Sequence, residues 1–329
     1  MSTEPVLPPV EPLPSPKPPL IRRVFVGKEG LRAGWGLLIF LLLFAAILLP
    51  IIFAIGKAFP SVVKLPKPGS EIHPSFGIVN DVIPFLVALL VAWIMSKIER
   101  RPNSVYGLGG SRRISLFLAG LAWGVAFLSL LVFALWRTGL LAFDQRLLFG
   151  GDILRYGVVW LVLFLFVGLL EEYLVRGYIL YTLTRGLAAI YERVFKTQYS
   201  RALGFWTSAI ALSILFGLGH GSNPGESPIG LLTAGLAALV FCFSLWRTGS
   251  LWWAIGFHAA WDWSQSYLYG VADSGLITQH HLFATHPVGK PILSGGTTGP
   301  EGSILILAIF LFISLVIAFT LRRDPKPRA

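Results

Sequence analysis

Six ionisable side chains lie inside apolar runs of this sequence, where they could do chemistry within a membrane. They occur in three separate runs and are Glu171, Glu172, Arg176, His220, His258 and Asp262. A charged group at mid-bilayer costs about 2.5–3.5 kcal/mol on insertion scales, so such groups mark pairing, transport or catalysis. Carboxylates and imidazoles together are the groups that activate water or bind zinc.

Helical geometry separates the two adjacent glutamates. Successive residues of a helix point about 100° apart, so Glu171 and Glu172 cannot share one direction. Glu172 and Arg176 are spaced i, i+4 and lie on one helix face, where they can neutralise each other. We therefore interpret Glu172 and Arg176 as a structural ion pair, and Glu171 as a carboxylate without a local partner.

The two histidines also have neighbours at helical spacing. His258 and Asp262 are spaced i, i+4, and so are Phe216 and His220, which puts an aromatic ring one turn from that histidine. On straight helices, however, His220 falls roughly two turns away from the level of the other candidates. A broken helix end at the glycines around His220 would close this gap.

The predicted site combines acids and histidines from three helices. The catalytic candidates are Glu171, His220, His258 and Asp262, and the supporting residues are Glu172, Arg176 and Phe216. A glutamate can act as a general base that takes a proton from water, with a histidine beside it. The four catalytic candidates are also good zinc ligands, and a catalytic zinc needs three protein ligands and an open position. The residues leave both chemistries open, so no cofactor is certain and Zn²⁺ is the metal that the site could use.

Composition indicates which elements must hold these residues. The chain has 329 residues, of which 55% are hydrophobic and 13% are charged, against about a quarter charged in ordinary soluble domains. This excludes a soluble globular enzyme, a disordered chain and a disulfide-stapled secreted module. We predict an all-α, polytopic membrane protein with about eight transmembrane helices. The apolar runs lie near 34–56, 79–96, 114–136, 156–182, 203–220, 229–246, 250–268 and 303–321.

The chain is predicted to have three parts. Residues 1–31 form a proline-rich tail followed by a basic interfacial segment, 32–322 form the membrane domain, and 323–329 form a basic tail. Lysine and arginine are more frequent on the side of the membrane that holds both termini, which predicts that both termini are cytoplasmic. The formal net charge of +11 therefore reflects membrane topology and contact with the lipid bilayer, and nucleic acid is not an expected partner.

The ordered motifs resemble those of the CPBP family of intramembrane proteases. This family includes CAAX prenyl proteases, bacteriocin-processing enzymes and abortive-infection proteins. The resemblance covers about residues 110–268. Its motifs here are Glu171-Glu172-x-x-x-Arg176, Phe216-x-x-x-His220 and His258-x-x-x-Asp262, each within an apolar run.

The resemblance implies a glutamate-dependent peptide-bond hydrolase embedded in the membrane. By this analogy Glu171 is the base that activates water, helped by His220. His258 and the residue at position 262 stabilise the tetrahedral oxyanion or bind a metal. Glu172 and Arg176 hold the site in shape.

Position 262 departs from the pattern that many family members show. Many of them carry asparagine where this chain has Asp262. An ionised aspartate cannot donate a hydrogen bond to an oxyanion. Orienting His258, or ligating a metal, therefore suits Asp262 better.

Two other functional classes remain open at this level. Intramembrane carboxylates and histidines also suit a transporter or proton-coupled carrier, and the same fold could be a catalytically inactive membrane scaffold. The protease hypothesis predicts a membrane-associated protein or peptide as substrate. We expect an integral protein of a bacterial inner (cytoplasmic) membrane, and the sequence is silent on its oligomeric state.

Overall fold

A computed structural model describes residues 24–27, 30–64, 66–67 and 70–322 of the chain. Most of the predicted segment 1–31 and the whole predicted tail 323–329 lie outside these residues. Within the described part, six helices are long and apolar enough to cross a membrane. The predicted all-α, polytopic membrane fold is therefore confirmed.

Eight long helical segments of the described chain, named α1 to α8 in order, follow the eight predicted apolar runs. The six of spanning length are α1 (Ala33–Ala58), α2 (Pro74–Ile98), α3 (Arg113–Arg137), α4 (Gly151–Phe195), α5 (Ser200–Ser222) and α6 (Pro228–Thr248). The remaining two are α7, an α-helix Trp252–Asp262 continued by a π-helix Trp263–Leu268, and α8 (Ile306–Thr320). Because α7 and α8 are not among the six, the number of eight spans stays a prediction.

Helix α4 is much longer than the run that predicted it. Its 45 residues rise roughly 68 Å at 1.5 Å per residue, about twice the thickness of the bilayer core. It consists of an α-helix Gly151–Glu171, a π-helix Glu172–Ile179 and a second α-helix Leu180–Phe195. The π-helix therefore begins in the middle of the first motif.

Short strands fasten the connections between helices to one another. β1 (Val26–Gly27) pairs antiparallel with β2 (Gly30–Leu31), β3 (Glu71–Ile72) pairs parallel with β5 (Ile277–Thr278), and β4 (Leu141–Arg146) pairs antiparallel with β6 (Phe283–Pro287). β5 and β6 lie in residues 269–302, named here the cap segment. The short helices are Pro60–Val63, Asn103–Tyr106, Pro291–Ser294 and Pro300–Gly302. The strand pairs thus hold the cap segment against the α1–α2 and α3–α4 connections.

Two main apolar clusters hold the helices together. One lies between α3, α6, α7 and α8 and includes Leu131, Phe257 and Ile313. The other joins α1, α2 and α4, where the rings of Phe40 and Tyr178 stack with centroids 4.1 Å apart. Because α4 and α7 each pack into one of these clusters, the clusters set the position of both helices that carry motif acids.

Glycines allow α3 and α7 to pack with their backbones in contact. A Cβ atom on Gly120 would lie 2.8 Å from the backbone nitrogen of Phe257, and one on Gly124 would lie 2.9 Å from the Cβ of Ala260. In lipid, helices associate through such close packing, because burial of apolar surface between helices brings no gain over contact with lipid tails. This crossing fixes α7, and with it His258 and Asp262.

We expect Gly124→Ala to destabilise the protein, because the added methyl group overlaps the backbone of α7. The expected loss is about 1–3 kcal/mol in the free energy of unfolding, measured by reversible unfolding in mixed detergent micelles. Gly34→Ala is the matched control, because Gly34 is exposed on α1 and nothing lies within 4 Å of its Cβ position. Equal stability of the two variants would contradict the close crossing of α3 and α7.

Candidate active site

One cavity of ≈ 320 Å³, named here the site cavity, brings together the catalytic candidates. Its walls come from α2, α4, α5, α6, α7, α8 and the cap segment. The sequence-predicted residues among those that line it are Glu171, Phe216, His220, His258 and Asp262. The structure therefore places all four predicted catalytic side chains on a single enclosed space.

The two adjacent glutamates have opposite environments, as helical geometry predicts. Glu171 is the last residue of the first α-helical part of α4 and lines the site cavity, where 28% of its side chain is exposed. Glu172 opens the π-helix and is completely buried. A π-helical turn inserts an extra residue and often marks a functional site. Glu171 is thus the one of the two that a substrate could reach.

Glu172 and Arg176 form a buried ion pair, which confirms the spacing argument. The Arg176 Nη1 atom lies 3.3 Å from Glu172 Oε1, and neither side chain is more than 1% exposed. The guanidinium also stacks on the ring of Phe216, with Cζ 4.1 Å from the ring centroid. Such a cation–π contact adds attraction in a desolvated setting. The pair therefore connects α4 to α5.

His258 joins the glutamate pair of α4 to Asp262 of its own helix. Its Nδ1 atom lies 3.1 Å from Glu172 Oε1 and forms a hydrogen bond with it. Its Nε2 atom lies 3.7 Å from Glu171 Oε2 and 3.5 Å from Asp262 Oδ2. Because an ionised carboxylate can only accept, Nδ1 carries a proton. Glu172 therefore orients His258, a role that the sequence argument considered only for Asp262.

The contact between Glu172 and His258 could not be read from the sequence. Helical spacing identifies partners on one helix, whereas these residues lie 86 positions apart. Gly168 makes the contact geometrically feasible, since a Cβ there would lie 3.1 Å from the Ile255 carbonyl oxygen of α7. The sequence signal for this contact was Gly168, a small residue one helical turn before Glu172.

His220 reaches the site cavity because α5 changes conformation at that point. The α-helical part of α5 ends at Gly219, and His220 begins a 3-10 turn, His220–Ser222. The His220 Nδ1 atom forms a 2.8 Å hydrogen bond with the carbonyl oxygen of Phe216. A carbonyl oxygen only accepts, so Nδ1 carries the proton and a neutral His220 has its lone pair on Nε2. Among the described residues, no ion pair or hydrogen bond joins His220 to Glu171.

Three further acids line the site cavity that the sequence did not place there. They are Asp81 on α2, and Asp273 and Glu301 on the cap segment. In the sequence Asp81 falls at the edge of an apolar run and the other two fall in a long loop. The pairing of β3 with β5 and of β4 with β6 brings that loop back over the helices.

Hydrogen bonds anchor the two acids of the cap segment. Ser266 Oγ donates to Asp273 Oδ2 at 3.1 Å, and Ser274 Oγ donates to Glu301 Oε1 at 2.9 Å. Burial raises the pKa of Asp273 well above its ordinary value, and the negative charge of Asp262 adds to this shift. Burial likewise raises the pKa of Glu301, together with the charge of Asp273. For both acids the effect of burial and of neighbouring negative charge outweighs the interactions that favour the ionised form.

The donor atoms of the site are not arranged as a metal centre. Among the described residues, no group of three or more histidine, cysteine, aspartate or glutamate side chains is placed to hold a metal ion. His258 Nε2 lies 3.5–3.7 Å from Asp262 and Glu171, and these three side chains form one group. His220 is separate from this group. We therefore derive no catalytic step through a metal.

Comparison with known families confirms the resemblance that the motifs predicted. Residues 153–264 match the family described as Type II CAAX prenyl endopeptidase Rce1-like. This stretch runs from α4 to the π-helical end of α7 and contains all three motifs. No curated protein and no solved structure matches the chain. The match indicates an intramembrane endopeptidase of the CAAX type in general, and the apolar helices show an integral membrane protein.

We expect Arg176→Met to destabilise the protein strongly, because it leaves the buried Glu172 without its cationic partner. Removing one member of a buried ion pair costs about 3–5 kcal/mol, measured as the free energy of unfolding in detergent. The double variant Glu172→Gln, Arg176→Met should recover much of this loss. The control is Asp144→Asn, which breaks an exposed contact with His286 and should change stability by less than about 1 kcal/mol. A stable Arg176→Met variant would refute the structural role of the pair.

We also expect stability to fall with rising pH through Asp273 and Glu301. Their folded pKa values lie above the ordinary 3.8 and 4.5, so their contribution is fully present below pH 4 and is lost as the pH rises through the raised values. Each group changes the unfolding free energy by up to about 1.4 kcal/mol per pH unit within that window. The double variant Asp273→Asn, Glu301→Gln should show a flatter dependence than the wild type. If the unfolding free energies of the two proteins depend on pH in the same way, the raised pKa values of Asp273 and Glu301 are contradicted.

Proposed function

We propose that this protein is an intramembrane endopeptidase that hydrolyses a peptide bond with water activated by Glu171. The observation that carries the proposal is the state of the Glu171 carboxylate. Its Oε2 atom is buried, has no hydrogen-bond partner and lies 3.7 Å from His258 Nε2 on the wall of the site cavity. A carboxylate that is held in an enclosed space without a donor is ready to accept a proton from water.

Glu171 and His220 are the groups proposed to hold and activate the water. Both line the site cavity, and both offer acceptors, a carboxylate oxygen and the Nε2 lone pair of a neutral imidazole. A water molecule has two protons to donate, so it can be oriented by both groups at once. The hydrogen bond from His220 Nδ1 to Phe216 fixes the ring for this purpose.

His258 is proposed to stabilise the oxyanion. With Nδ1 directed to Glu172, a protonated ring presents Nε2–H to the space between Glu171 and Asp262. Donors held in place before the reaction are the largest common source of transition-state stabilisation. The Asp262 carboxylate can only accept hydrogen bonds. We therefore propose that Asp262 holds the imidazole of His258 in place, and that His258 donates the hydrogen bond to the oxyanion.

The proposed reaction follows from these positions. The water oxygen bonds to the carbonyl carbon while its proton passes to Glu171, and the carbonyl oxygen becomes an oxyanion facing His258. The carbon–nitrogen bond then breaks as the nitrogen takes the proton from Glu171, which restores the carboxylate. Glu172, Arg176 and Phe216 do not touch the reacting atoms and act by positioning His258.

The proposed substrate is a membrane-associated protein or peptide. The proposed location is a bacterial inner (cytoplasmic) membrane with both termini in the cytoplasm, as the distribution of lysine and arginine indicates. The family match supports an endopeptidase, and it gives no support to a transporter or an inactive scaffold.

Glu171→Gln should abolish cleavage without unfolding the protein. Loss of a general base typically costs about 10²–10⁴-fold in rate, measured here as kcat/KM on a quenched fluorescent peptide library in detergent. Asp144→Asn is the control, because this exposed acid lies outside the site cavity. Each protein is assayed with and without a chelator and is checked by thermal unfolding.

Three outcomes are distinguishable in this experiment. Cleavage that is lost in Glu171→Gln and survives the chelator supports the proposal. Cleavage lost on chelation would overturn the metal-free mechanism. A folded Glu171→Gln variant that cleaves as well as the wild type would remove Glu171 from the active site.

A further inference from the structure

We propose that the peptide bound in the site cavity carries a lysine or arginine side chain close to the scissile bond, and that Asp81, Asp273 and Glu301 bind it. This inference names the substrate class of the site and rests on the function proposed above. It is carried by the charge of the cavity wall, by acceptors that lack donors, and by the spacing of the acids.

The wall of the site cavity is acidic in a chain that is otherwise basic. Its ionisable side chains are Asp81, Glu171, Asp262, Asp273, Glu301, His220 and His258, and within the described residues no lysine or arginine lines it. The whole chain has a formal net charge of +11. Five carboxylates therefore line one cavity of a chain whose net charge is positive. A cationic ligand is complementary to them.

Two of these carboxylates face the site cavity and accept no hydrogen bond from the described residues. Asp262 is 6% exposed and accepts no hydrogen bond from the described residues, and its contact with His258 Nε2 is 3.5 Å long. Glu171 Oε2 is a buried atom without a partner. Burying an acceptor without a donor costs free energy, so Glu171 Oε2 points to a donor that a ligand supplies.

The acids continue along the wall from the reacting centre to the cap segment. Ser266 follows Asp262 by about one helical turn and donates to Asp273 at 3.1 Å, and Ser274, the next residue, donates to Glu301. One turn advances about 5.4 Å, whereas an extended peptide advances about 3.3 Å per residue. A basic residue two or three positions from the scissile bond therefore reaches Asp273 or Glu301.

Asp81 contributes a carboxylate from the opposite side of the fold. It lies in the π-helix Ile78–Val82 of α2, and no ion pair or hydrogen bond of its side chain is found among the described residues. The Asp81 carboxylate packs beside Gly77 and Leu163 of α4, since a Cβ at Gly77 would be in ordinary van der Waals contact with both. Like the π-helix that begins at Trp263, this one contributes a residue to the wall of the site cavity.

A cationic side chain of the substrate would place a positive charge beside the two acids of the cap segment. Burial raises the pKa of Asp273 and Glu301, and an ammonium or guanidinium group favours their ionised forms. With a neutral substrate, Asp273 and Glu301 keep the hydrogen bonds from Ser266 and Ser274 but gain no positive charge from the ligand. Sites that contain buried polar groups reject substrates that leave those groups unpaired, which makes the preference selective.

The test compares matched peptides that differ in one charge. Arginine and its neutral isostere citrulline are placed in turn at each position within three residues of the scissile bond, and kcat/KM is measured for each pair. We expect at least about a 10-fold preference for arginine at one position. Asp273→Asn, Glu301→Gln and Asp81→Asn should each reduce this ratio, and Asp144→Asn, an exposed acid outside the cavity, should keep it.

Binding to the Glu171→Gln variant gives a readout that does not depend on cleavage. The Kd of each peptide is measured by fluorescence anisotropy, and arginine should bind at least about 10-fold more tightly than citrulline. Equal kcat/KM and equal Kd for arginine and citrulline at every position would refute the basic-residue preference and leave the endopeptidase proposal intact. A folded wild type that binds arginine peptides selectively but cleaves none would instead contradict the endopeptidase proposal.

A small cation is the alternative occupant of these acids. Thermal unfolding is therefore measured with Mg²⁺ or Ca²⁺ alone, on the wild type and on the double variant Asp273→Asn, Glu301→Gln. Stabilisation of the wild type only, together with loss of the arginine preference when the cation is added, would assign the acids to a metal ion and overturn the inference. No stabilisation by either ion supports the peptide side chain.

Discussion

The carboxylate of Glu172 is the interaction on which the rest of the site depends. It is fully buried and is shared between Arg176 on its own helix, at 3.3 Å, and His258 on α7, at 3.1 Å. A buried carboxylate is tolerated only when it is paired, so both partners are held in one arrangement. The stacking of Arg176 on Phe216 extends the same constraint to α5. Glu171, the preceding residue, is thereby turned away from the pair and towards the site cavity.

Close packing of small residues makes this constraint attainable. Gly168 lets α4 approach the backbone of α7, and Gly124 lets α3 approach it from another side. In a membrane, where apolar burial adds little to helix association, such contacts carry much of the packing. The buried ion pair thus sets the orientation of the catalytic candidates, and the glycine contacts set the distance between the helices that carry them.

The cap segment turns a polar opening between helices into an enclosed acidic cavity. Its strands β5 and β6 pair with the connections before α2 and α4, and it places Asp273 and Glu301 on the cavity wall. The proposed reacting centre and the proposed recognition acids are therefore held by different parts of the fold. The first belongs to the stretch that matches the endopeptidase family, whereas the second depends on Asp81 and on the cap segment, outside that stretch.

The sequence by itself determined the features that depend on local spacing and composition. Apolar runs of about 20 residues require membrane helices because the bilayer offers no hydrogen-bond partner to the backbone, and i, i+4 spacing predicted the pair of Glu172 and Arg176. The motifs also predicted the family that residues 153–264 match and four side chains that line the site cavity. Helix lengths were less accurate, as the extension of α4 beyond residue 182 shows.

Only the tertiary structure decided which residues meet across helices. The bond between Glu172 and His258, the change of α5 at Gly219 that carries His220 to the cavity, and the return of Asp273 over the helices all join positions far apart in the chain. A helical repeat specifies the direction of a side chain relative to its own axis. It does not specify the distance or rotation between two axes, which follow from packing of the whole fold.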